Sequence, residues 1–205
     1  MVNPVTDIST EAKILSAARE MFLQKGFAGA RMQDIADEAG INKAMLHYYF
    51  RSKEKLFETI FREAFGKLIP HITDAFSSDL NFYDKIRAFS GAYVTMAIEN
   101  PFIPMFVLNA MHSDPINFQN IFGDIPKKLP LTLIKTQIKK AVDEGIIRPI
   151  EPFQLIINML SLCLFPFIAR PMFQMVSNIS DSAFKKMMEN RKTEVAEFII
   201  QAIKK

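Results

Sequence analysis

Residues 30–55, Ala-Arg-Met-Gln-Asp-Ile-Ala-Asp-Glu-Ala-Gly-Ile-Asn-Lys-Ala-Met-Leu-His-Tyr-Tyr-Phe-Arg-Ser-Lys-Glu-Lys, restrict the fold of this chain more than any other stretch. They read as two short helices joined by a tight turn. In the first, Ile35, Ala36 and Ala39 share one face at i, i+1 and i+4, which leaves Gln33, Asp34, Asp37 and Glu38 for solvent. Gly40 follows the last apolar position and can adopt the left-handed conformation that ends a helix at no Cβ cost. Ile41 turns back toward the core, and the Asn42 side-chain oxygen is placed to cap a new helix. That second helix, Lys43 to Phe50, turns Leu46 and Phe50 inward at i and i+4. Its other face carries Lys43, Met45, His47 and Tyr48, with Arg51, Lys53 and Lys55 just beyond. An apolar back with a basic, aromatic front fits the DNA-reading helix of a helix-turn-helix.

The flanking segments extend the helical pattern. Ser9 or Thr10 is placed to cap a first helix with Ile14, Ala18, Met21 and Phe22 inward and Gly26 at its end, completing a three-helix unit. Ser52 caps a fourth helix whose stripe is Leu56, Phe57, Ile60, Phe61, Ala64, Phe65 and Leu68; Gly66 and Pro70 are expected to bend or end it. The division into residues 1–57 and 58–205 therefore falls inside a helix. Phe82, Ile86, Phe89, Tyr93 and Met96 continue at spacings of four, three, four and three, until Asn100-Pro101 stops that helix. Residues 113–126, with Pro115, Gly123 and Pro126, read as a loop holding about one helical turn. Leu131 to Glu144 form a helix ended by Gly145. Nothing alternates like a strand for long, so the expected class is all-α.

Residues 152–173 are apolar almost all round. Gln154, Asn158 and Ser161 interrupt them, Pro166 and Pro171 bend them, and the unbroken part falls short of the ~18 to 20 residues a membrane span needs. A helix apolar on every side is also what a buried interface helix looks like. The last helix, from Ser180 or Asp181, carries Phe184, Met188, Val195, Phe198, Ile199 and Ala202 inward. Two copies of this pair, residues 152–173 and 182–203, would make a four-helix homodimer interface, with no membrane partner.

Composition narrows the classes. With 49% hydrophobic residues in 205, a wholly disordered chain is excluded. A net charge of +3 does not by itself suggest nucleic acid; the local cluster does. One cysteine, Cys163, argues against a disulfide-built fold and a multi-cysteine zinc site. The first ten residues lack a basic n-region and an apolar h-region, so a cytoplasmic location is expected.

Asp34-Ile35-Ala36, Ala39-Gly40-Ile41-Asn42-Lys43, Leu46-His47-Tyr48-Tyr49-Phe50 and Lys53-Glu54-Lys55-Leu56 together resemble the signature of the TetR family of bacterial transcriptional regulators. The resemblance covers residues 10 to 60; beyond it the chain fits in length and helical pattern. It implies a three-helix DNA-binding domain followed by a larger helical domain for ligand binding and dimerisation. It also implies a regulator, most often a repressor, that binds a palindromic double-stranded operator as a homodimer and is released by a small-molecule effector. Where the family usually has Thr at the start of the second helix, this chain has Ala30-Arg31, which leaves a phosphate contact there to Arg31 and backbone N–H groups. Its usual small Gly in the recognition helix is Ala44.

Lys43 and Lys53 suit phosphate oxygens, and Lys43 can reach a guanine edge. His47, Tyr48 and Tyr49 offer flat apolar faces with polar tips for sugar, phosphate or a thymine methyl, although helical geometry divides Tyr49 between core and phosphate. The expected DNA-facing set is Arg31, Gln33, Asn42, Lys43, Ala44, Met45, His47, Tyr48, Tyr49 and Lys53. The Phe- and Met-rich second domain suits an apolar or aromatic ligand among the helices of residues 56–173. The expected lining is Phe65, Phe89, Tyr93, Met96, Phe106, Asn109, Met111, His112, Phe118, Gln137, Asn158 and Met159, although such residues equally suit a filled core.

An enzyme is not expected. None of His47, His71 and His112 stands with Asp, Glu or Cys at metal-ligand spacing, so no metal is expected, and no cofactor. Cys163 with His112 would make a nucleophile and base in principle, but a thiol in an apolar helix is usually a small hydrophobe. No glycine-rich phosphate loop is present. The rival reading is a helical apolar-ligand carrier or enzyme without DNA function, which would survive disruption of residues 42–53.

Overall fold

A computed structural model of the chain describes residues 4–113, 115–124 and 128–205. The first helix, α1 (Pro4–Gly29), starts before Ser9 and Thr10, so neither caps it; a proline is tolerated at a helix start because that N–H has no intrahelical partner. Ile14, Ala18, Met21 and Phe22 are buried as the periodicity requires. At Gly26 the backbone leaves helical geometry with φ 66° and ψ 171°, then makes one more turn, closed by Ala30 N donating to Gly26 O at 3.1 Å. Helix α2 (Met32–Glu38) buries Ile35 and Ala36. Its end is a Schellman motif: Gly40 N donates to Asp37 O at 3.1 Å and Ile41 N to Ala36 O at 3.0 Å, with Gly40 at φ 66°. Asn42 Oδ1 then accepts from Met45 N at 2.7 Å and opens α3 (Lys43–Tyr49).

Ser52 Oγ accepts from Lys55 N to open α4 (Lys53–Ser77). This helix neither ends at Gly66 nor at Pro70. Pro inside a helix costs about 3 kcal/mol. Beyond it, Ile72 and Phe76 are almost wholly buried, and burying two such side chains returns about 3–6 kcal/mol. Packing outweighs the missing hydrogen bond, so the helix continues.

Helix α5 (Phe82–Glu99), capped by Asn81, runs through the middle of the second half and packs along α4 and the last helix. Helix α6 (Ile103–Ser113) follows Asn100-Pro101. The expected loop at 113–126 is instead largely helix α7 (Pro115–Phe122). Pro115 occupies its first position, and Phe118 and Phe122, spaced i and i+4, reach a cluster of other phenylalanines. Pro126 lies outside the described residues.

Helix α8 (Leu131–Asp143) ends at Gly145 in a second Schellman motif, with Ile146 N donating to Ala141 O at 2.9 Å. The apolar stretch forms α9 (Pro152–Ile168) and, after a break at Ala169, α10 (Arg170–Ser177), the two bent by 61°. Pro166 has no N–H for Leu162 O; Arg191 supplies two donors instead, Nε at 3.1 Å and Nη2 at 2.8 Å. Among the described residues no single helix is long and apolar enough to cross a membrane, although this bent pair, and the α5–α6 pair bent by 84°, pass on length and composition together.

The last helix, α11 (Asp181–Ile203), is capped by Ser180. Phe198 and Ala202 do not point inward as the pattern suggested: both are exposed, and Phe198 is 65% exposed. Ile200 and Ile203 take the inward positions, which shifts the buried stripe around the helix by one residue. Arg148 N donates to Ile203 O at 2.9 Å beside an isolated bridge between Ile147 and Lys204, which fastens the end of α11 to the segment after α8. The architecture is all-α, with no named strand among the described residues.

Candidate nucleic-acid interface and effector cavity

Helix α3 is held from behind. Leu46 is fully buried and Phe50 nearly so, and with Ile35 and Ala36 they fix the angle between α2 and α3. Lys43, Ala44, Met45, His47 and Tyr48 all face solvent, Tyr48 with 80% of its surface exposed. Among the described residues nothing covers this front. Tyr49 is half-buried and meets Tyr48 edge-on, ring centroids 5.5 Å apart, so its ring divides between core and surface. His47 Nδ1 lies 3.2 Å from Arg51 O, which orients the imidazole along the helix end. Arg31 is exposed just before α2 in extended backbone, with no side-chain cap of its own. Gln33 is exposed and donates to Asp37 at 2.7 Å. Asn42 uses its side-chain oxygen on the cap, so only its amide NH2 remains available outward. Lys25 donates to Asp34 at 2.8 Å and ties α1 to α2; that hydrogen bond holds the Asp34 carboxyl below its usual range.

Lys53 departs from expectation. Its ammonium points inward, donating to Phe27 O at 2.6 Å and Ala30 O at 3.0 Å, with Ala28 O at 3.4 Å, and lies 4.5 Å above the Phe27 ring. An ammonium has three N–H donors, and three carbonyls take them. From sequence alone this lysine reads as a phosphate ligand, because the three carbonyls it holds lie more than twenty residues upstream.

The twelve residues expected to line a ligand site are scattered. Phe106, Asn109 and Phe118 lie on one cavity of about 650 Å³. Its wall is aromatic, formed by Phe22, Phe27, Phe102, Phe106, Phe118, Phe122 and Phe167; its polar groups are Lys25, Glu54, Asn109, Ser113 and Arg170. Met96 lines a groove of about 870 Å³ between α1, α4 and α5. Gln137 lines a smaller one of about 350 Å³, accepting from the buried Lys85 at 3.1 Å. Asn158 faces a fourth, beside Phe198. Phe89, Tyr93 and Met159 are instead packed into the core, Phe89 against Tyr93 with centroids 4.8 Å apart, and burial holds the Tyr93 phenol above its usual range. Phe65 stacks on Phe61, and Met111 and His112 are exposed on α6. None of these six lines any of the four concavities described.

The aromatic cavity sits at the junction of α1, α4, α6, α7, α9 and α10, not within the second half alone. That explains why Phe22 and Phe27 were missed: both belong to the first helix and looked like packing for the three-helix unit. The signal was present in Gly26-Phe27, an aromatic residue placed directly after a helix-breaking glycine. Cys163 and His112 form no nucleophile–base pair. His112 is exposed, whereas Cys163 is fully buried in α9, and burial pushes its thiol up to about 12. Among the described residues, no group of three or more His, Cys, Asp or Glu is placed to hold a metal ion.

Residues 14–60 match the model of bacterial regulatory proteins of the tetR family. The HTH-type transcriptional regulator RutR of Escherichia coli (strain K12) is 30% identical over 144 residues. The chain belongs to the TetR family. The RutR alignment spans 70% of this chain and 66% of RutR, just under two thirds of that protein. In structure, the TetR-family chain is similar to the ketosteroid transcriptional regulator KstR2 of Mycobacterium tuberculosis, with a TM-score of 0.73, 17% identity and 95% of each chain covered. It is also similar to AibR, solved in complex with isovaleryl coenzyme A and operator DNA, with a TM-score of 0.64, 19% identity, and 81% of this chain and 97% of AibR covered. At these identities the two structures establish the shared fold.

Proposed function

We propose that this TetR-family protein is a cytoplasmic transcriptional repressor, not an enzyme, that binds a palindromic operator as a homodimer and is released by a small apolar or aromatic effector. The observation that carries the reading is the bare front of α3: a basic, aromatic surface on a helix whose back is fully anchored. Lys43 and Tyr48, with Arg31 at the start of α2, form the outward set; phosphate contacts position the helix and Lys43 reads a base edge. Residues 1–57 act as the DNA-binding domain and 58–205 as the effector and dimerisation domain. One short helix reads too few bases alone, so two are required, entering successive major grooves about 34–36 Å apart.

The dimer uses α9 and α11. Phe153, Ile157, Phe165 and Phe198 leave apolar surface uncovered on these two helices, in keeping with a four-helix interface. The aromatic cavity receives the effector. AibR, of the same fold, was solved with isovaleryl coenzyme A, which fits a cavity of this kind being used for a ligand. Gel-shift or anisotropy titration against a selected duplex tests the reading. Lys43→Ala is expected to weaken operator binding by about 1–3 kcal/mol if it contacts a base. Tyr48→Ala is expected to weaken binding without changing the melting temperature, because the ring packs on so little of the chain. Unchanged affinity in both variants would rule out this face.

A further inference from the structure

Lys53 and Phe27 connect the aromatic cavity to the DNA-binding unit. The last carbonyls of a helix have no intrahelical partners, and a cation at that end is favourable. Here the backbone leaves helical geometry at Gly26, and the carbonyls of Phe27, Ala28 and Ala30 that follow it accept from a side chain of another helix. The Lys53 ammonium, at the first turn of α4, holds all three. Ala30 is followed at once by Arg31, the cap position of α2, so the clamp fixes where α2, and α3 behind it, leave α1.

The same clamp forms the back of the cavity wall. Gly26, Phe27 and Ala28 all line the cavity, as does Glu54, the residue after Lys53. The Phe27 ring has Lys53 Nζ 4.5 Å from its centroid and meets the Phe106 ring edge-on at 4.5 Å between centroids. Phe106 in turn stacks on Phe57 of α4 at 3.5 Å. A molecule filling the cavity against Phe106 meets Phe27, whose ring and carbonyl both contact the Lys53 ammonium, so a displacement carried into the Phe27 backbone moves that carbonyl relative to Lys53. Hydrogen bonds fail by about 3.6 Å, so a shift of a few tenths of an ångström releases the Ala28 carbonyl, held at 3.4 Å, and one of about 1 Å releases that of Phe27, held at 2.6 Å.

We propose that Lys53 is the positioning residue through which occupancy of the aromatic cavity reaches the DNA-binding unit, and that it is not a phosphate ligand. This rests on the regulator reading above. The route runs through the turn between α1 and α2; it does not require a swing of the whole of α4. Coupling between two sites is established only by showing that one residue changes the effect of the other.

The test fills the cavity from within, so that no effector need be known. Ala110→Trp and Ser113→Phe each place an aromatic side chain into it from α6; two variants guard against one failing to fold, which circular dichroism and melting would show. Affinity is measured for a duplex that the full chain selects from a random-sequence library. With Lys53 present, filling is expected to weaken binding by roughly 5- to 150-fold, the usual span of allosteric coupling. In a Lys53→Met background the same filling is expected to change affinity less than about twofold, the limit within which uncoupled substitutions add. Lys53→Arg, which keeps a cation and donors for the carbonyls, is expected to restore the response. The same loss on filling in both backgrounds would overturn the proposal, as would no loss when Lys53 is present. If Lys53→Met also flattens the salt dependence by about one phosphate contact, Lys53 is a phosphate ligand and the proposal is wrong. A wild-type chain that selects no duplex would overturn the regulator reading itself, an outcome distinct from selection without coupling.

Discussion

Replacing Phe198 by Glu separates association from folding at one position. Phe198 lies on α11 with 65% of its surface exposed, so in the single chain it packs against little. Full burial of a phenylalanine side chain contributes about 1.5–3 kcal/mol; covering the exposed two thirds in a dimer contributes about 1–2 kcal/mol. Twofold symmetry counts the residue twice, giving about 2–4 kcal/mol. At 1.4 kcal/mol per tenfold, that is a rise of roughly 30- to 1,000-fold in the dimer dissociation constant. Glu adds to this by setting a carboxylate beside Glu197, where a partner's apolar helix would strip its water. Sedimentation equilibrium of the variant and of Phe198→Leu, which keeps most of the apolar area, measures the effect. Stability of the separated chain is expected to stay within about 0.5 kcal/mol, as for exposed positions generally. A wild-type chain that is monomeric at micromolar concentration, or a Glu variant that dimerises as tightly as wild type, would refute the interface. An equal loss of stability in the monomer would show instead that Phe198 belongs to the core.

Arg191→Met is expected to destabilise the fold by about 1.5–3 kcal/mol, the range for hydrogen bonds from a charged donor, and to cost markedly less with Pro166→Ala, which restores a backbone donor for Leu162 O; urea unfolding of the double-mutant cycle checks this. Asp124 is held down to about 2, first by its hydrogen bonds from Arg62 and next by Lys128. Its folded value lies below the unfolded one, so the stabilisation is present above the ordinary carboxylate range near 4 and lost as pH falls toward 2; Arg62→Met should return the Asp124 titration, followed by NMR, toward the ordinary range. Cys163, with its thiol up at about 12 and buried, should resist a thiol-specific reagent in the native protein and react on unfolding.

The fold was legible wherever it depends on neighbours in sequence. Asn42 and Ser52 cap the helices that follow them, and Gly40 and Gly145 take positive φ, because each outcome is decided within four or five residues. The course of α4 through Pro70 was not legible in that way. Its continuation depends on Ile72 and Phe76 finding a buried partner surface, and that surface is supplied largely by α5, which follows it in the chain. Residues 115–122 present the same difficulty: a proline opening and two phenylalanines carry no long period, and they hold helical form because Phe122 reaches Phe57 and Phe61 in α4. Phe198 was misplaced by one position on its helix because α11 is apolar over more than half its circumference, and periodicity alone does not say which edge of so wide a stripe meets the same chain.

The candidate sites divide along the same physical line. The outward face of α3 could be read because exposure there follows from one short amphipathic helix. The cavity could not, because residue type does not distinguish a phenylalanine that fills space from one that borders it: Phe89 and Phe106 belong to the same class, yet one is packed against Tyr93 while the other faces open volume. Lys53 is the sharpest case. A lysine at the start of a helix that follows a basic recognition helix is correctly suspected of meeting phosphate, and its local sequence contains nothing against it. What redirects it is the departure of α1 from helical geometry at Gly26, which leaves three carbonyls without partners within its reach. A hydrogen bond to a charged donor contributes about 1.5–3 kcal/mol, and two of these three are partly buried, whereas a lysine on DNA phosphate gains only while DNA is bound. In the free protein the carbonyls therefore win the ammonium, and the residue that looked like part of the DNA contact becomes part of the joint that aims it.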